Sequence, residues 1–385
     1  MLTARQVKTL RAYGSADTAF GLGLLNAVCA GKAAGNIALS PVSVSSALGL
    51  AYLGAGGQTA TAMAKVMHLP ATSGPALAIG LRDRSDLLAS LVRPGVVFSQ
   101  SNRIWADRSL PARPSYVSAL KSDYRASLHQ VPLVSDPDAA RQTINAAIGR
   151  DTHGHIPNLL PPDSLRGIGW LLTNALYLKA AWAQPFSHAF TTTGAFATNG
   201  GQVMAHYLNG RGYKTASVDG WTAASLPYRG HRLAMFALLP PAGHGPGSGS
   251  CTLPDAGEFT SISAKLADSH HEMSIALPKV KLSWSGSLMT ELAQLGMGQA
   301  FSSAADFTGI SPKACCIGLV QHAATLTVAE KGTVASAATA VGVAPTAVAL
   351  PQATLRFDRP YLLVIDDTLT GEPLMLAWVA NPAAG

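Results

Sequence analysis

The histidines are the first residues whose types and spacing could do chemistry. His153 and His155 stand two residues apart, and His270 and His271 directly precede Glu272. Such groups can bind a metal ion or transfer protons, but adjacent histidines in a polar stretch chelate poorly without further ligands. The chain also lacks the Gly-x-Ser-x-Gly elbow of hydrolases and a Walker-type phosphate loop. We therefore expect surface histidines, no metal site, no cofactor and no enzymatic activity.

A run of small residues near the C-terminal end indicates a different chemistry. Residues 328–341 read Val-Ala-Glu-Lys-Gly-Thr-Val-Ala-Ser-Ala-Ala-Thr-Ala-Val, with nothing bulky or charged after Lys331. Side chains alternate along a strand, so every second residue of this run would share one face. That face would carry Thr333, Ala335, Ala337, Thr339 and Val341. Such a segment can lie exposed or enter a crowded sheet, which predicts a conformational switch; an alanine-rich linker or helix is the simpler alternative.

The same run resembles the reactive-loop hinge of the serpins, a family of suicide protease inhibitors. Glu330-Lys-Gly-Thr333 and the small residues after it match the inhibitory hinge, while Val334 stands where many inhibitory members carry Glu. Other segments resemble the family in the same order along residues 16–382. They are Asn36-Ile-Ala-Leu-Ser40-Pro-Val-Ser43, Leu172-Thr-Asn174-Ala-Leu-Tyr-Leu-Lys-Ala-Ala-Trp182, Leu226-Pro-Tyr-Arg-Gly230, Ala305-Asp-Phe-Thr-Gly-Ile-Ser311 and Phe357-Asp-Arg-Pro-Tyr361.

The resemblance implies an α+β fold in which elements far apart in sequence must position the loop. The expected architecture has three β-sheets, about nine helices and an exposed reactive-centre loop at about residues 332–354. Residues 1–385 would form a single serpin domain. The composition agrees, because 385 residues with 48% hydrophobic and 13% charged side chains suffice for a large core.

The family's mechanism implies that the loop is bait for a protease. The family's spacing from Glu330 places the scissile bond between Thr346 and Ala347, with Val343, Ala344 and Pro345 recognised by the protease. A small apolar bait favours elastase-like targets, then subtilisin-like ones. Trypsin-like targets are disfavoured because no Lys or Arg occurs between Lys331 and Arg356. Cleavage at Val348 or Leu350 stays open, since the loop after Thr346 is long.

The resemblance also assigns roles to three groups of residues. The hinge that would begin insertion comprises Glu330, Gly332, Thr333, Ala335, Ala337 and Thr339. The polar cluster beneath the parting strands, the shutter, would comprise Asn36, Ser40, Ser43, Asn174 and His322. The tryptophan at the top of the sheet, the breach, would be Trp182. One departure is Ala377-Trp378, where the family usually has Gly followed by a basic residue.

The implied partners are serine proteases, captured as a covalent acyl complex, with cysteine proteases as a second class. A non-inhibitory serpin that acts as a binding, carrier or chaperone-like protein is the alternative; its hinge would typically carry bulky, charged or Pro residues. We expect a monomer, with loop-into-sheet polymerisation as a hazard. Net charge is +7, but the basic residues are not dense enough to predict nucleic acid or heparin binding.

The remaining expectations concern the cell. The N-terminal residues have no apolar signal core, and no segment has membrane-spanning length without polar interruption, so we expect no membrane association. A cytoplasmic location is expected, with an extracellular one if the start shown is not the native one. The bias toward Ala and Gly resembles a bacterial proteome of high GC content. Four cysteines in this length predict free thiols rather than a disulfide framework.

Overall fold

The computed structural model describes residues 2–31, 35–243, 251–333 and 353–384. Eight α-helices lie within these ranges. They are α1 (Ala4–Gly31), α2 (Pro41–Tyr52), α3 (Gly57–Val66), α4 (Gly74–Ser90), α5 (Pro114–Tyr124), α6 (Pro137–Asp151), α7 (Ala256–Asp268) and the single turn α8 (Met289–Leu292). Short helical turns also occur at His188–Phe190, Ala293–Met297 and Gly298–Phe301.

The described residues also contain fifteen β-strands. They are β1 (Ile37–Leu39), β2 (Val96–Asp107), β3 (Leu128–Val131), β4 (Trp170–Ala181), β5 (Thr192–Thr198), β6 (Gly201–Val218), β7 (Trp221–Pro227), β8 (Leu233–Leu239), β9 (Glu272–Pro278), β10 (Val280–Ser287), β11 (Val320–Ala329), β12 (Gly332–Thr333), β13 (Thr354–Arg356), β14 (Tyr361–Asp367) and β15 (Glu372–Val379). The expected α+β class is therefore confirmed.

Local sequence explains where several helices begin. The Ser40 side chain accepts a hydrogen bond from the Ser43 backbone N–H at 3.2 Å and caps α2, whose first residue is Pro41. α7 begins with a reciprocal capping box between Asp255 and Glu258. Both arrangements satisfy backbone N–H groups that have no partner within the helix.

The strands form two hydrogen-bonded networks in the described part of the chain. A six-stranded sheet has the order β10-β11-β12-β4-β2-β3 and also contains direct β11–β4 pairs. Nine further strands are connected through β6 in the order β1-β15-β14-β8-β7-β6-β9-β13, with β5 also beside β6. The long strand β6 joins two parts of this network, and its register shifts between Gly210 and Tyr213. The part of β6 before the shift pairs with β5 and with most of β9, and the part after it pairs with β7. The described strands thus form two hydrogen-bonded networks where three sheets were expected, because two of the expected sheets are joined to each other through β6.

The six-stranded sheet separates two apolar layers. A large core contains α2, β14 and β15 on one side. A smaller cluster on the other side packs α6, through Ile144 and Ile148, against Trp105 of β2 and Leu171 of β4. α6 therefore lies across the outer face of the sheet that the hinge would enter.

One sequence expectation about the cysteines is wrong. A disulfide joins Cys29, in the last turns of α1, to Cys251, with 5.7 Å between the Cα atoms. The two residues are 222 positions apart, so only the folded chain brings them together. Cys315 and Cys316 are free, as expected.

Candidate functional site: the hinge and the adjoining seam

The first hinge residues already form a strand in the six-stranded sheet. Gly332 and Thr333 pair with Ala329 and Val328 of β11 on one side. On the other side they pair with Ala181 and Ala180 of β4. Below this point β11 and β4 pair directly with each other over six residues, from Val320–Leu172 to Thr325–Tyr177. We call this directly paired region the seam.

Gly332 is required by its surroundings. Its φ of 146° is rare for residues with a side chain, and a Cβ atom would lie 2.1 Å from the Ala180 carbonyl oxygen. Thr333 is completely buried, and its Oγ1 lies 2.5 Å from the hydroxyl oxygen of Tyr228. The inward position of Thr333 agrees with the predicted alternation of the hinge.

Trp182, the predicted breach residue, lies beside the turn between β11 and β12. Its ring stacks on Tyr228 with 4.5 Å between centroids and 9° between planes. The indole Nε1–H donates to the Ala329 carbonyl oxygen at 2.8 Å, and the backbone N–H of Trp182 donates to the Lys331 carbonyl oxygen at 3.1 Å. Trp182 thereby supports both sides of the turn between β11 and β12.

Glu330 anchors that turn by its side chain. Its Oε1 accepts a hydrogen bond from Lys279 Nζ at 2.8 Å and lies 3.1 Å from His188 Nδ1. Burial by itself would raise the pKa of Glu330, but the hydrogen bonds with Lys279 and His188 lower it to about 2. Glu330 is therefore ionised at neutral pH and holds the upper end of β11 in place.

His322 and Asn174 face each other across the seam. His322 Nδ1 and Asn174 Oδ1 are hydrogen-bonded partners, and the Ser40 backbone N–H donates to His322 Nε2 at 3.2 Å. Because Nε2 accepts, Nδ1 carries the proton and donates to Asn174. Complete burial lowers the pKa of His322 to about 3, so the imidazole is neutral at pH 7. The structure thus places His322 in contact with Asn174 and Ser40, and their role as the shutter stays a prediction.

Ser43 belongs to an adjacent network that contains a residue missed in the sequence. Ser43 Oγ donates to Asn102 Oδ1 at 2.7 Å, and Asn102 Nδ2 donates to Gln100 Oε1 at 3.2 Å. Asn102 is the register partner of Asn174 on β2. Asn102 could have been found from the sequence. Ser99-Gln-Ser-Asn102 is a polar run inside a strand whose other residues are mostly apolar.

Asn36 is not part of the shutter, which corrects the sequence prediction. Its Oδ1 accepts from the backbone N–H groups of Ala380 and Asn381, both at 2.9 Å. Its Nδ2 donates to the carbonyl oxygens of Asn381 and Ala384. The reason is topological: Asn36 immediately precedes β1, which runs antiparallel to β15, so its side chain meets the chain that leaves β15.

A latch between α6 and β2 was also missed in the sequence. Asp151, the last residue of α6, accepts hydrogen bonds from Arg103 Nε at 2.9 Å and Arg103 Nη2 at 3.0 Å. Ser101 Oγ donates to the same carboxylate at 2.6 Å. Ser101 and Arg103 are two residues apart on β2, which puts both on the face under α6. Only the packing of the helix over the sheet shows their common partner.

Several predicted residues lie outside the described residues. They are the hinge residues Ala335, Ala337 and Thr339, the recognition residues Val343, Ala344 and Pro345, and the scissile pair Thr346 and Ala347. The departure at Ala377-Trp378 is described: Trp378 is buried and pairs with Ile37 of β1 and Leu362 of β14.

Two of the histidines considered first contact side chains of neighbouring strands. His155 stacks on Tyr177 of β4 with 3.6 Å between ring centroids, and His271 Nδ1 lies 3.0 Å from Thr215 Oγ1. Within the four described ranges there is no group of three or more His, Cys, Asp or Glu side chains that could hold a metal ion. No helix in those ranges is long and apolar enough to cross a membrane.

Comparisons with known proteins agree with this geometry. Residues 15–382 match the family model described as "Serpin (serine protease inhibitor)". The chain is 31% identical to the leukocyte elastase inhibitor of Bos taurus, over 96% of this chain and 99% of that protein. It is 32% identical to Iripin-2 of Ixodes ricinus, over 93% of this chain and 90% of that protein.

Solved structures show the same fold. The crystal structure of maspin matches with a TM-score of 0.85 at 22% identity, covering 97% of this chain and all of that one. Uncleaved ovalbumin matches with a TM-score of 0.82 at 25% identity, covering 96% of this chain and all of that one. The family model and these relatives show which family this is, and the pairing of β12 with both β11 and β4 agrees with them. The chain belongs to the serpins, a family of protease inhibitors and not of enzymes.

Proposed function

We propose that this protein is a suicide inhibitor of serine proteases whose reactive loop enters the sheet along the seam. The observation that carries the proposal is β12, in which Gly332 and Thr333 already pair with both β11 and β4. The hinge contains no bulky or charged residue after Lys331, so the strand could continue. Extension requires β11 and β4 to separate where they now pair directly.

The register of β12 defines what each further residue would meet. If both antiparallel registers continue, Thr339 falls between His322 and Asn174, which are themselves register partners. Val341 then falls between Val320 and Leu172 at the lower end of the seam. Asn174 Nδ2 is buried and has no hydrogen-bond partner among the described residues, so it could donate to the incoming Thr339 hydroxyl.

The same register supports the choice of small residues. Ala335 and Ala337 would follow Thr333 on the inward face, where Thr333 is completely buried. Larger side chains there would overpack the core beneath the sheet. Each new backbone hydrogen bond contributes about 0.5–1.5 kcal/mol net, so a strand of about ten residues supplies on the order of ten kcal/mol.

The chemistry begins with ordinary proteolysis. A serine protease would attack the carbonyl of Thr346 and release the amino group of Ala347, leaving an acyl-enzyme on Thr346. Residues 333–341 would span about 30 Å of strand, enough to run down the seam. The five residues that follow would carry the acyl-linked protease beyond the lower end of the sheet. Inhibition then depends on insertion being faster than deacylation.

The bait supports an elastase-like target, with subtilisin-like enzymes second and cysteine proteases as a further class. Val343-Ala344-Pro345-Thr346 contains only small and apolar or uncharged residues, which suit a shallow apolar primary pocket. Cleavage at Val348 or Leu350 would lengthen the tether and favour release of the protease. We expect the inhibitor to act as a monomer.

The test is to mix the protein with pancreatic elastase and with subtilisin, followed by denaturing gels and mass spectrometry. A band at the summed mass and a released peptide beginning at Ala347 would establish the mechanism and the scissile bond. If the protein is cleaved without forming a stable complex, the next measurement is the melting temperature of the cleaved protein. A large rise in melting temperature would mean that the loop inserts and that another protease is the target. An unchanged melting temperature would favour a non-inhibitory serpin.

The cell compartment is a separate proposal. The disulfide between Cys29 and Cys251 supports an oxidising compartment outside the cytoplasm, because cytosolic thiols are kept reduced. Protein taken from its native cells should then resist alkylation at both cysteines until a reductant is added. Alkylation of both without reductant would favour the cytoplasm.

A further inference from the structure

Two neighbouring thiols, Cys315 and Cys316, lie in the segment that leads into β11. Both are free; Cys315 is exposed and Cys316 is partly buried. Their side chains are hydrogen-bonded to each other, so the two sulfur atoms are in contact. Neither residue belongs to the hinge, the shutter or the breach, and both precede β11. The pair is therefore a cluster of sulfur ligands outside the site already described.

The segment around the two thiols is fixed at both ends. The Ala314 backbone N–H donates to the Ser311 carbonyl oxygen at 3.1 Å, and the Ile317 backbone N–H donates to the Ala300 carbonyl oxygen at 3.0 Å. Ala314 and Ile317 are themselves buried. The exposure of Cys315 gives a solute direct access to the pair. Ligands held between two anchored residues lose little conformational freedom on binding.

A disulfide between these two thiols is not their favoured chemistry. Neighbouring Cα atoms are about 3.8 Å apart across a trans peptide, whereas disulfides usually span roughly 4.4–6.8 Å. Closing the bond would strain a segment that is fixed at both ends, and strained disulfides are readily reduced. A cation that bridges both sulfur atoms requires no such contraction, because two thiolates on one ion stay roughly 4 Å apart when each metal–sulfur bond is about 2.3 Å.

The surroundings of the pair select a soft cation that needs few ligands. Residues 307–320 contain no His, Asp or Glu. Within the ranges that the structure describes, no group of three or more His, Cys, Asp or Glu side chains could complete a larger ligand set. Zn²⁺ normally takes four ligands, and Ca²⁺ and Mg²⁺ take oxygen ligands. Thiolates favour Cu(I), and two of them suffice for this ion.

We propose that Cys315 and Cys316 together bind one Cu(I) ion. Two S–H bonds break, two Cu–S bonds form, both protons go to the solvent and no electron is transferred. The bound site carries one net negative charge, and the exposed Lys313, two residues before Cys315, supplies a positive charge nearby in the chain. Because the pair lies outside the seam, the proposal does not depend on the proposed inhibition.

Competition with a chromophoric Cu(I) chelator tests the site. The intact protein is titrated without added thiol and without oxygen into the coloured complex of Cu(I) with bicinchoninate, and loss of colour measures the transfer of the ion. We expect one ion per chain. Cys315→Ser and Cys316→Ser should each weaken binding by on the order of a hundredfold, because either change leaves a single thiolate and removes the chelate.

Met204→Leu and His270→Gln are the matched controls. Each removes an exposed sulfur or nitrogen ligand elsewhere on the surface, so the affinity for Cu(I) should not change. The melting temperature of each metal-free variant is compared with that of the wild type. Where a serine variant melts lower, the alanine variant at the same position takes its place.

Weakening by the change at Cys315 alone would overturn the proposal, because a single exposed thiol would then account for the binding. Wild-type affinity after both serine changes would also overturn it, since the ion would be bound elsewhere. Failure of the protein to take Cu(I) from the chelator at one ion per chain would do the same. All three outcomes are independent of whether a protease complex forms.

Discussion

Thr333 is the residue at which inhibition should be most sensitive. Its side chain is completely buried between β11 and β4 and lies against the Tyr228 hydroxyl. Thr333→Arg would force a charge into this position, at a cost of several kcal/mol. We expect the variant to be cleaved as a substrate without forming the acyl complex, as measured by the fraction of protease shifted on a denaturing gel.

Thr333→Ser is the matched control for that variant, because it retains the hydroxyl beside Tyr228 and introduces no charge. It should preserve most of the complex. Inhibition by Thr333→Arg at the wild-type level would mean that the hinge does not have to enter the sheet.

His322 should make stability depend on pH in a defined window. The folded state holds the pKa of His322 at about 3, whereas an unfolded histidine titrates near pH 6.5. Between these values the unfolded chain binds more protons, so the free energy of unfolding falls as pH falls from about 6.5 toward 3. The slope from this one group should approach about 1 kcal/mol per pH unit, measured by denaturant unfolding at a series of pH values.

His322→Gln should flatten that slope, and the exposed His270→Gln should leave it unchanged. Comparing variants is necessary because burial and the neighbouring Asp367 raise the pKa of Asp366 to about 7. That shift has the opposite sign, since the folded state then holds the extra proton and stability falls as pH rises from about 4 to 7. Equal slopes for wild type and His322→Gln would contradict the assignment.

At the scale of elements, α6 is held over the sheet by Asp151. Its carboxylate accepts two hydrogen bonds from Arg103 and one from Ser101. Asp151→Asn should lower the free energy of unfolding by about 1–2 kcal/mol, a value reduced because the ion pair is about one-quarter exposed. Hydrogen exchange in the last turn of α6 should become faster, as measured by mass spectrometry.

Asp163→Asn is the control for this change, because both side chains of the Asp163–Arg166 ion pair are exposed to solvent. It should change stability by no more than about 0.5 kcal/mol. Unchanged exchange in α6 after Asp151→Asn would show that apolar packing of the helix, not the latch, holds it in place.

At the scale of the whole molecule, the disulfide connects distant parts of the chain. Closing a loop with a sequence separation of 222 restricts the unfolded chain strongly. Replacing both Cys29 and Cys251 by Ala should lower the free energy of unfolding by about 3–5 kcal/mol, measured by guanidinium unfolding without reductant. Cys315→Ser is the control and should have little effect, since Cys315 is exposed and free. Equal stability of the double variant would show that this link does not form in solution.

Much of the fold and part of the site could be predicted from local pattern. The alternation of small residues after Gly332 has a period of two, which is a property of the strand itself and needs no knowledge of its neighbours. The placement of Thr333 on the inward face therefore agrees with the sequence prediction. Asn174 and His322 lie in β4 and β11, and Trp182 directly follows β4, so the order of these segments along the chain was enough to select them, while their roles stay predictions.

The sequence by itself therefore determined the family and the α+β class, and it predicts the residues of a movable strand. Tertiary structure decided which distant side chains meet. It placed Asn36 at the end of β15 instead of in the shutter, joined Cys29 to Cys251 and brought Arg103 to Asp151. The physical reason is that strand periodicity is encoded between near neighbours, whereas these contacts depend on strand order, register and helix packing across tens or hundreds of residues.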